Sequence, residues 1–221
     1  PLEVGKSVYI GMDFELEVPT DVELNYGVLA YYEGVLTLAH SYPMIAVYNE
    51  EGWNAEIPPQ SGDVTFADAS FFLVTVTAPN GVTVVASGIE SAPQTMGNQV
   101  VTNVAIGPAR DFFLAASRDY EVISQTVGEV TVNSYAPKSM SKMSQAALAS
   151  AARALETFGQ LYAPYPYTEF DIVITPTLAL GIEYPGATAI ADRILLGEYG
   201  DQTAVYLEST VVHEVAHQWF Y

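Results

Sequence analysis

The hydrophobic pattern of this 221-residue chain changes period once, near Arg118, and that change divides the fold into a β-rich part and an α/β part. Before it, the apolar runs are short. Residues 8–10, 14–18 and 35–38 read as strands. Residues 71–77, FFLVTVT, give the strongest strand signal, with Pro79, Asn80 and Gly81 as the turn that follows. Residues 82–86 are expected to pair back on that strand as a hairpin, and 100–106 and 112–116 add two more strands. Proline and glycine clusters punctuate these runs at intervals that predict a sandwich or saddle-like sheet.

Past Arg118, residues 121–135 read as one further hairpin. An alanine-rich stretch then runs from Ser139 to about Tyr162. Met143, Ala147, Ala151, Ala154, Leu155, Phe158 and Tyr162 recur along it at helical spacing, and Pro164 and Pro166 end it. Residues 170–175 read as a buried strand. Residues 203–221 read as a second helix, with Val205, Val211, Val212, Val215, Ala216 and Trp219 on its apolar side. The expected class is therefore α+β: an all-β domain over residues 1–117, incomplete at its amino terminus, then the start of an α/β domain over 118–221.

Half of the residues are hydrophobic, enough for a buried core rather than a disordered chain. Aspartate and glutamate number 26 against 7 lysines and arginines, a formal charge of −19. That balance argues against nucleic acid or an anionic membrane as partner, since both call for a basic surface. The bland reading of the acidity is a solvated, soluble surface; the functional reading is a field that draws in cationic ligands such as free amino termini. There is no cysteine, so no disulfide framework or thiolate metal site exists. No apolar run approaches the roughly 20 residues that span a bilayer. The opening PLEVGKSVYIGMDFELEVP reads as strand rather than signal peptide, as for a sequence that begins inside a fold or after a cleaved leader.

The chemistry is concentrated in the last residues, HEVAHQWFY. His213 and His217 are four apart, so on a helix their imidazoles share one face and can reach one metal ion. Glu214 projects about 100° round from His213 and is placed to hold a metal-bound water instead of ligating equatorially. Zinc brings the pKa of such a water toward about 7, and a nearby carboxylate can take its proton. The bare pattern arises by chance in roughly one chain per hundred of this length, so it needs support. Two of the three histidines lie in it, and the segment reads as a helix, as the chemistry requires.

That support stands thirty residues before His213 in Leu180-Gly181-Ile182-Glu183-Tyr184-Pro185-Gly186, directly after the buried strand. With these residues the chain resembles the aminopeptidase N and leukotriene hydrolase family of gluzincin metallopeptidases. Residues 213–220, HEVAHQWF, are close to that family's zinc-helix wording. Tyr42-Pro43-Met44 with Gly52-Trp53, and residues 111–115, look like stretches of its β domain. The resemblance implies a thermolysin-like fold for the second part, with Zn2+ held by His213 and His217 and Glu214 as general base. It implies that Gly181, Ile182 and Glu183 form an edge strand for the substrate backbone, with Glu183 gripping the free amine. It places the third zinc ligand, a glutamate, and the oxyanion-steadying tyrosine downstream of Tyr221. Tyr221 does not take the latter role merely by being a tyrosine. Ile182 and Tyr184 stand where the family has methionine and asparagine, and the β-domain glutamine or glutamate that helps hold the amine is not located in this sequence. His40 lies in that region and reads as a structural histidine.

The leading expectation is zinc-dependent release of amino-terminal residues from peptides with a free amino terminus. A thermolysin-type zinc endopeptidase and a non-catalytic β-rich binding fragment are the alternatives. Acidic, cysteine-free bacterial relatives of this kind lean toward a secreted or cell-envelope location. Side-chain preference and oligomeric state have no signature in the sequence.

Overall fold

The computed structural model describes residues 3–57, 59, 66–196 and 198–220. The amino-terminal strands are β1 (Leu29–Tyr32), β2 (Val35–Ala39), β3 (Tyr48–Asn49), β4 (Gly52–Trp53), β5 (Ser70–Pro79), β6 (Thr83–Ala86), β7 (Ile89–Glu90), β8 (Gln94–Met96), β9 (Gln99–Ala109) and β10 (Phe113–Ser117). There follow β11 (Tyr120–Val127), β12 (Val130–Pro137), helix α1 (Ser141–Leu161), β13 (Glu169–Thr175), β14 (Gly181–Tyr184), β15 (Ala187–Ala191), the short α2 (Asp192–Leu195) and α3 (Thr203–Ala216). The chain is α+β and β-rich in its amino-terminal part, as expected. Among the described residues no helix is long and apolar enough to cross a membrane.

The strands form layers. One sheet runs β1-β2-β10-β6, a second β5-β9-β7 with β8 on β9, and a third β11-β12-β13-β15-β14. In the third, β12 and β13 are parallel, as are β13 and β15, whereas β14 is antiparallel on β15 and forms the sheet's edge. The β12–β13 connection is α1, the kind of crossover that a parallel pair needs. Strand β13 is buried on both faces, which is why its sequence is a nearly continuous apolar run. Phe170, Ile172 and Ile174 point into the core under α1 and α3, with Ala151, Leu155, Val211 and Val215. Val173, one step out of phase, points the other way.

That other face packs on the first sheet. Val28, Val35, Val85, Phe113 and Ala115 from the amino-terminal strands share one core with Val173, Tyr184, Ala187 and Ala189. Strand β10 alternates likewise: Leu114 and Ala116 face a third core, against Val104 and Ile106 of β9 and Phe112 just before β10. Cores and sheets thus stack as successive layers from the β-rich part to the two long helices.

Two expectations fail for a common reason. Residues 8–10 and 14–18 carry strand-like patterns but form no strand, and Val8, Tyr9 and Phe14 are exposed. Residues 83–86 do form a strand, but β6 pairs with β10, while β5 pairs with β9. Alternation specifies a strand's two faces and not its neighbour. Ladder hydrogen bonds need a partner edge, and the burial of Val85 and Ala86 selects β10. The helix expected over 203–221 ends at Ala216, and Val205 lies exposed rather than on its apolar side. Pro1, Leu2 and Tyr221 lie outside the described residues.

Candidate metal centre and its edge strand

Helix α3 seats itself by Leu207, Val211 and Val215, four apart, all buried against α1 and the sheet. Its end is tied down beyond the last helical residue. The Trp219 indole N–H donates to Ala163 O at 2.8 Å, and its ring meets Phe158 edge-on. The Gln218 amide donates to Tyr184 O at 3.0 Å, while its oxygen accepts the Gly186 N–H at 3.1 Å. Gln218 therefore locks the helix end to the turn between β14 and β15. The sequence displays this glutamine beside the histidine motif, but nothing local in the pattern gives it that task.

With Val211 and Val215 inward, His213 and His217 fall together on the open side. Their Nε2 atoms stand 3.2 Å apart and their rings are nearly perpendicular, at 84°. His217 Nδ1 lies 2.9 Å from Phe220 O. A carbonyl can only accept, so Nδ1 carries the proton and Nε2 keeps its lone pair. That is the tautomer a metal ligand needs, fixed by a partner on the opposite ring nitrogen.

Glu214 points away from this face and into β14. It is buried, and only a residue without a side chain could lie opposite it. A Cβ at Gly181 would stand 2.5 Å from Glu214 Cγ and 2.6 Å from Cδ. Glu183 sits two residues along, with Oε1 3.5 Å from His217 Nδ1. Glu183, Glu214 and His217 each offer an atom within 4.8 Å of the others, and His213 joins through His217. Burial first, then the charge and hydrogen bond of Glu183, push the Glu214 carboxyl up to about 8. Its Oε2 is buried with no hydrogen-bond partner among the described residues.

Five of the expected site residues thus converge: His213, Glu214, His217, Gly181 and Glu183. Ile182, half-buried, packs instead against the core shared by the two sheets. His40 is bound on one side only: its Nδ1 is buried with no hydrogen-bond partner among the described residues. Its Nε2 is 2.7 Å from Asp111 Oδ2, and the Tyr42 hydroxyl donates to the other oxygen at 3.4 Å. Sequence reasoning missed the contact between Gly181 and Glu214, because it arises only when the edge strand and the helix pack.

The residues fit a zinc ion. Imidazole–zinc bonds of about 2.0–2.1 Å at a tetrahedral angle set two nitrogens about 3.3 Å apart, close to what the pair already shows. The partnerless buried oxygen of Glu214 is a second sign of a polar or charged occupant. A cavity of about 270 Å³ opens beside His217 and Gln218, walled in part by Arg110 and Tyr167.

Residues 146–220 match the peptidase family M1 domain, from α1 through the histidine helix. Over this stretch the chain is similar to the family M1 peptidases, as the resemblance in the sequence implies, which supports a peptidase as the parent protein. No curated protein gives a significant match to the chain.

Gly181→Ala is expected to lower peptidase activity about a hundredfold, with Tm changed by only a few degrees. The new methyl group would force the buried Glu214 side chain, from its Cγ outward, to shift, and that shift displaces the carboxylate. Activity and thermal melts on the same preparation test it; an active variant would mean that Glu214 need not stay where it is.

Proposed function

We propose that this chain carries the zinc-binding and amine-binding residues of an aminopeptidase with a thermolysin-like catalytic domain. The observation that carries the reading is Glu183 on an edge strand, beside Glu214 and His217. His213 and His217 would hold the ion through their Nε2 atoms. When bound, zinc supplies an acidified water and a Lewis acid for the scissile carbonyl.

The chain's own residues do the rest. Strand β14 ends its sheet, so its outer edge can take an extended peptide by main-chain hydrogen bonding. Glu183 then pairs with the substrate ammonium and fixes the first peptide bond as the one presented to Glu214. Glu214, as carboxylate, accepts the proton of the attacking water and passes it to the leaving amine. Phe220 O holds His217 in the ligating tautomer, and Gln218 keeps helix and edge strand in register.

The test is a pair of peptides, one with a free amino terminus and one acetylated, assayed with zinc. Only the free peptide should be cleaved. Glu183→Gln should cut kcat/KM by about a hundredfold, the scale of losing one partner of a desolvated ion pair. Equal cleavage of both peptides would replace this reading with the endopeptidase one. Zinc-independent peptide binding without turnover would favour a binding fragment.

A further inference from the structure

A second group of acids lies away from the histidine pair, where the β-rich layers meet the five-stranded sheet. Glu90 ends β7, and Glu169 and Asp171 open β13. Each of the three offers a carboxylate oxygen within 4.8 Å of the others. The Asn133 amide, opposite Asp171 on β12, donates to Glu169 Oε1 at 2.8 Å and to Asp171 Oδ1 at 2.9 Å. Glu90 Oε1 accepts the Ala86 N–H at 2.8 Å. Each carboxyl is thus gripped by one oxygen, which leaves the other for a different partner. Asp171 makes the case sharpest. It is fully buried, its carboxylate belongs to the three-acid group, and its Oδ2 has no hydrogen-bond partner among the described residues.

Three carboxylates do not stay this close in a protein interior without positive charge or protons. Burial raises all three, Glu90 and Asp171 also feel the charge of the other acids, one hydrogen bond opposes the rise at each, and no lysine or arginine is among these influences. We infer that Glu90, Glu169 and Asp171 form a second cation site, for a hard divalent ion, calcium before magnesium. The donors are all oxygen, which selects hard cations over zinc. The three oxygens lie within 4.8 Å of one another, close enough to converge on one ion, and calcium takes such carboxylates at about 2.3–2.6 Å in flexible geometry. Magnesium keeps most of its water, which a site built around a fully buried aspartate does not accommodate.

Such an ion joins β7 to β13 across the layer boundary. Its reach extends toward the histidine helix, because the Asp171 N–H donates to Gly186 O at 2.9 Å and the Gly186 N–H donates to Gln218. The inference does not rest on the peptidase reading, since no residue is common to the two groups.

The experiment takes the protein stripped of metal by a chelator and titrates it with calcium chloride and, separately, magnesium chloride, reading heat and Tm. One calcium per chain is expected, with Tm raised by several degrees at pH 8. Ion and protons compete for the same oxygens, so the rise is smaller at pH 5. Asp171→Asn and, at a half-buried position that tolerates change better, Glu90→Gln should each weaken calcium binding about a hundredfold or abolish it. His213→Ala should leave it intact. No heat and no Tm change at pH 8 with millimolar calcium would overturn the inference. So would a response that survives Glu90→Gln and Asp171→Asn, or one that His213→Ala removes.

Discussion

Glu214→Gln is expected to remove peptidase activity while leaving zinc binding in place. The exchange keeps the volume of the side chain, so the close approach to Gly181 is preserved. It also keeps a hydrogen-bonding group toward Glu183. What the amide cannot do is accept a proton from water at neutral pH. General-base catalysis by a positioned side chain is worth about 10²–10⁴-fold, and that is the expected loss in kcat. KM should change little, because the substrate amine is assigned to Glu183. The metal content should also stay the same, because the imidazoles belong to His213 and His217. Peptide turnover and bound zinc, measured on one preparation, separate the possibilities. A kcat within tenfold of the parent enzyme would remove Glu214 from the proton-transfer step. Loss of zinc together with activity would make Glu214 a ligand or a support for one.

The parts of this chain that could be read in advance are those whose pattern has one physical solution. The run at residues 170–175 has apolar residues on both strand faces, so it had to be central, and β13 is central. The alanine-rich stretch had to be a helix covering a sheet, and α1 is that helix. The histidines at a spacing of four had to share a face, and their nitrogens stand 3.2 Å apart. What escaped was pairing. Residues 82–86 form a strand in either arrangement, and only the burial of Val85 and Ala86 sends it to β10 instead of β5. The same limit hid the acidic group. Asp171 sits within a run that reads as buried strand, and Glu90 and Glu169 look like ordinary surface acids in their local sequence. Their approach to within 4.8 Å depends on which sheets stack. The edge strand was legible only through resemblance: four residues, Gly-Ile-Glu-Tyr, are too short for periodicity to speak.

Phe113→Ala is expected to cost about 3–5 kcal/mol, the usual range for emptying a buried phenylalanine site. Phe113 is 0% exposed on β10, and its ring stacks on that of Tyr184, with centroids 4.3 Å apart and planes 11° from parallel. Tyr184 belongs to β14, next to Glu183, so one aromatic pair joins the amino-terminal sheet to the strand proposed to hold the substrate amine. The surrounding residues, Val85, Ala115, Val173 and Ala189, are strand-borne and held in sheet ladders, so the site cannot readily collapse to fill the void. The loss should appear in urea titration as a lower midpoint at nearly unchanged slope. Phe71→Ala is the matched control. That ring is 78% exposed, and its removal should change stability by no more than about 0.5 kcal/mol. Equal costs for the two variants would mean that the sheets do not share a core at Phe113. The expected asymmetry brings a second effect: with Tyr184 freed from its platform, kcat/KM for free-amino peptides should fall under conditions in which the variant remains folded. Stability and substrate binding would then be linked through a residue that touches neither metal nor substrate.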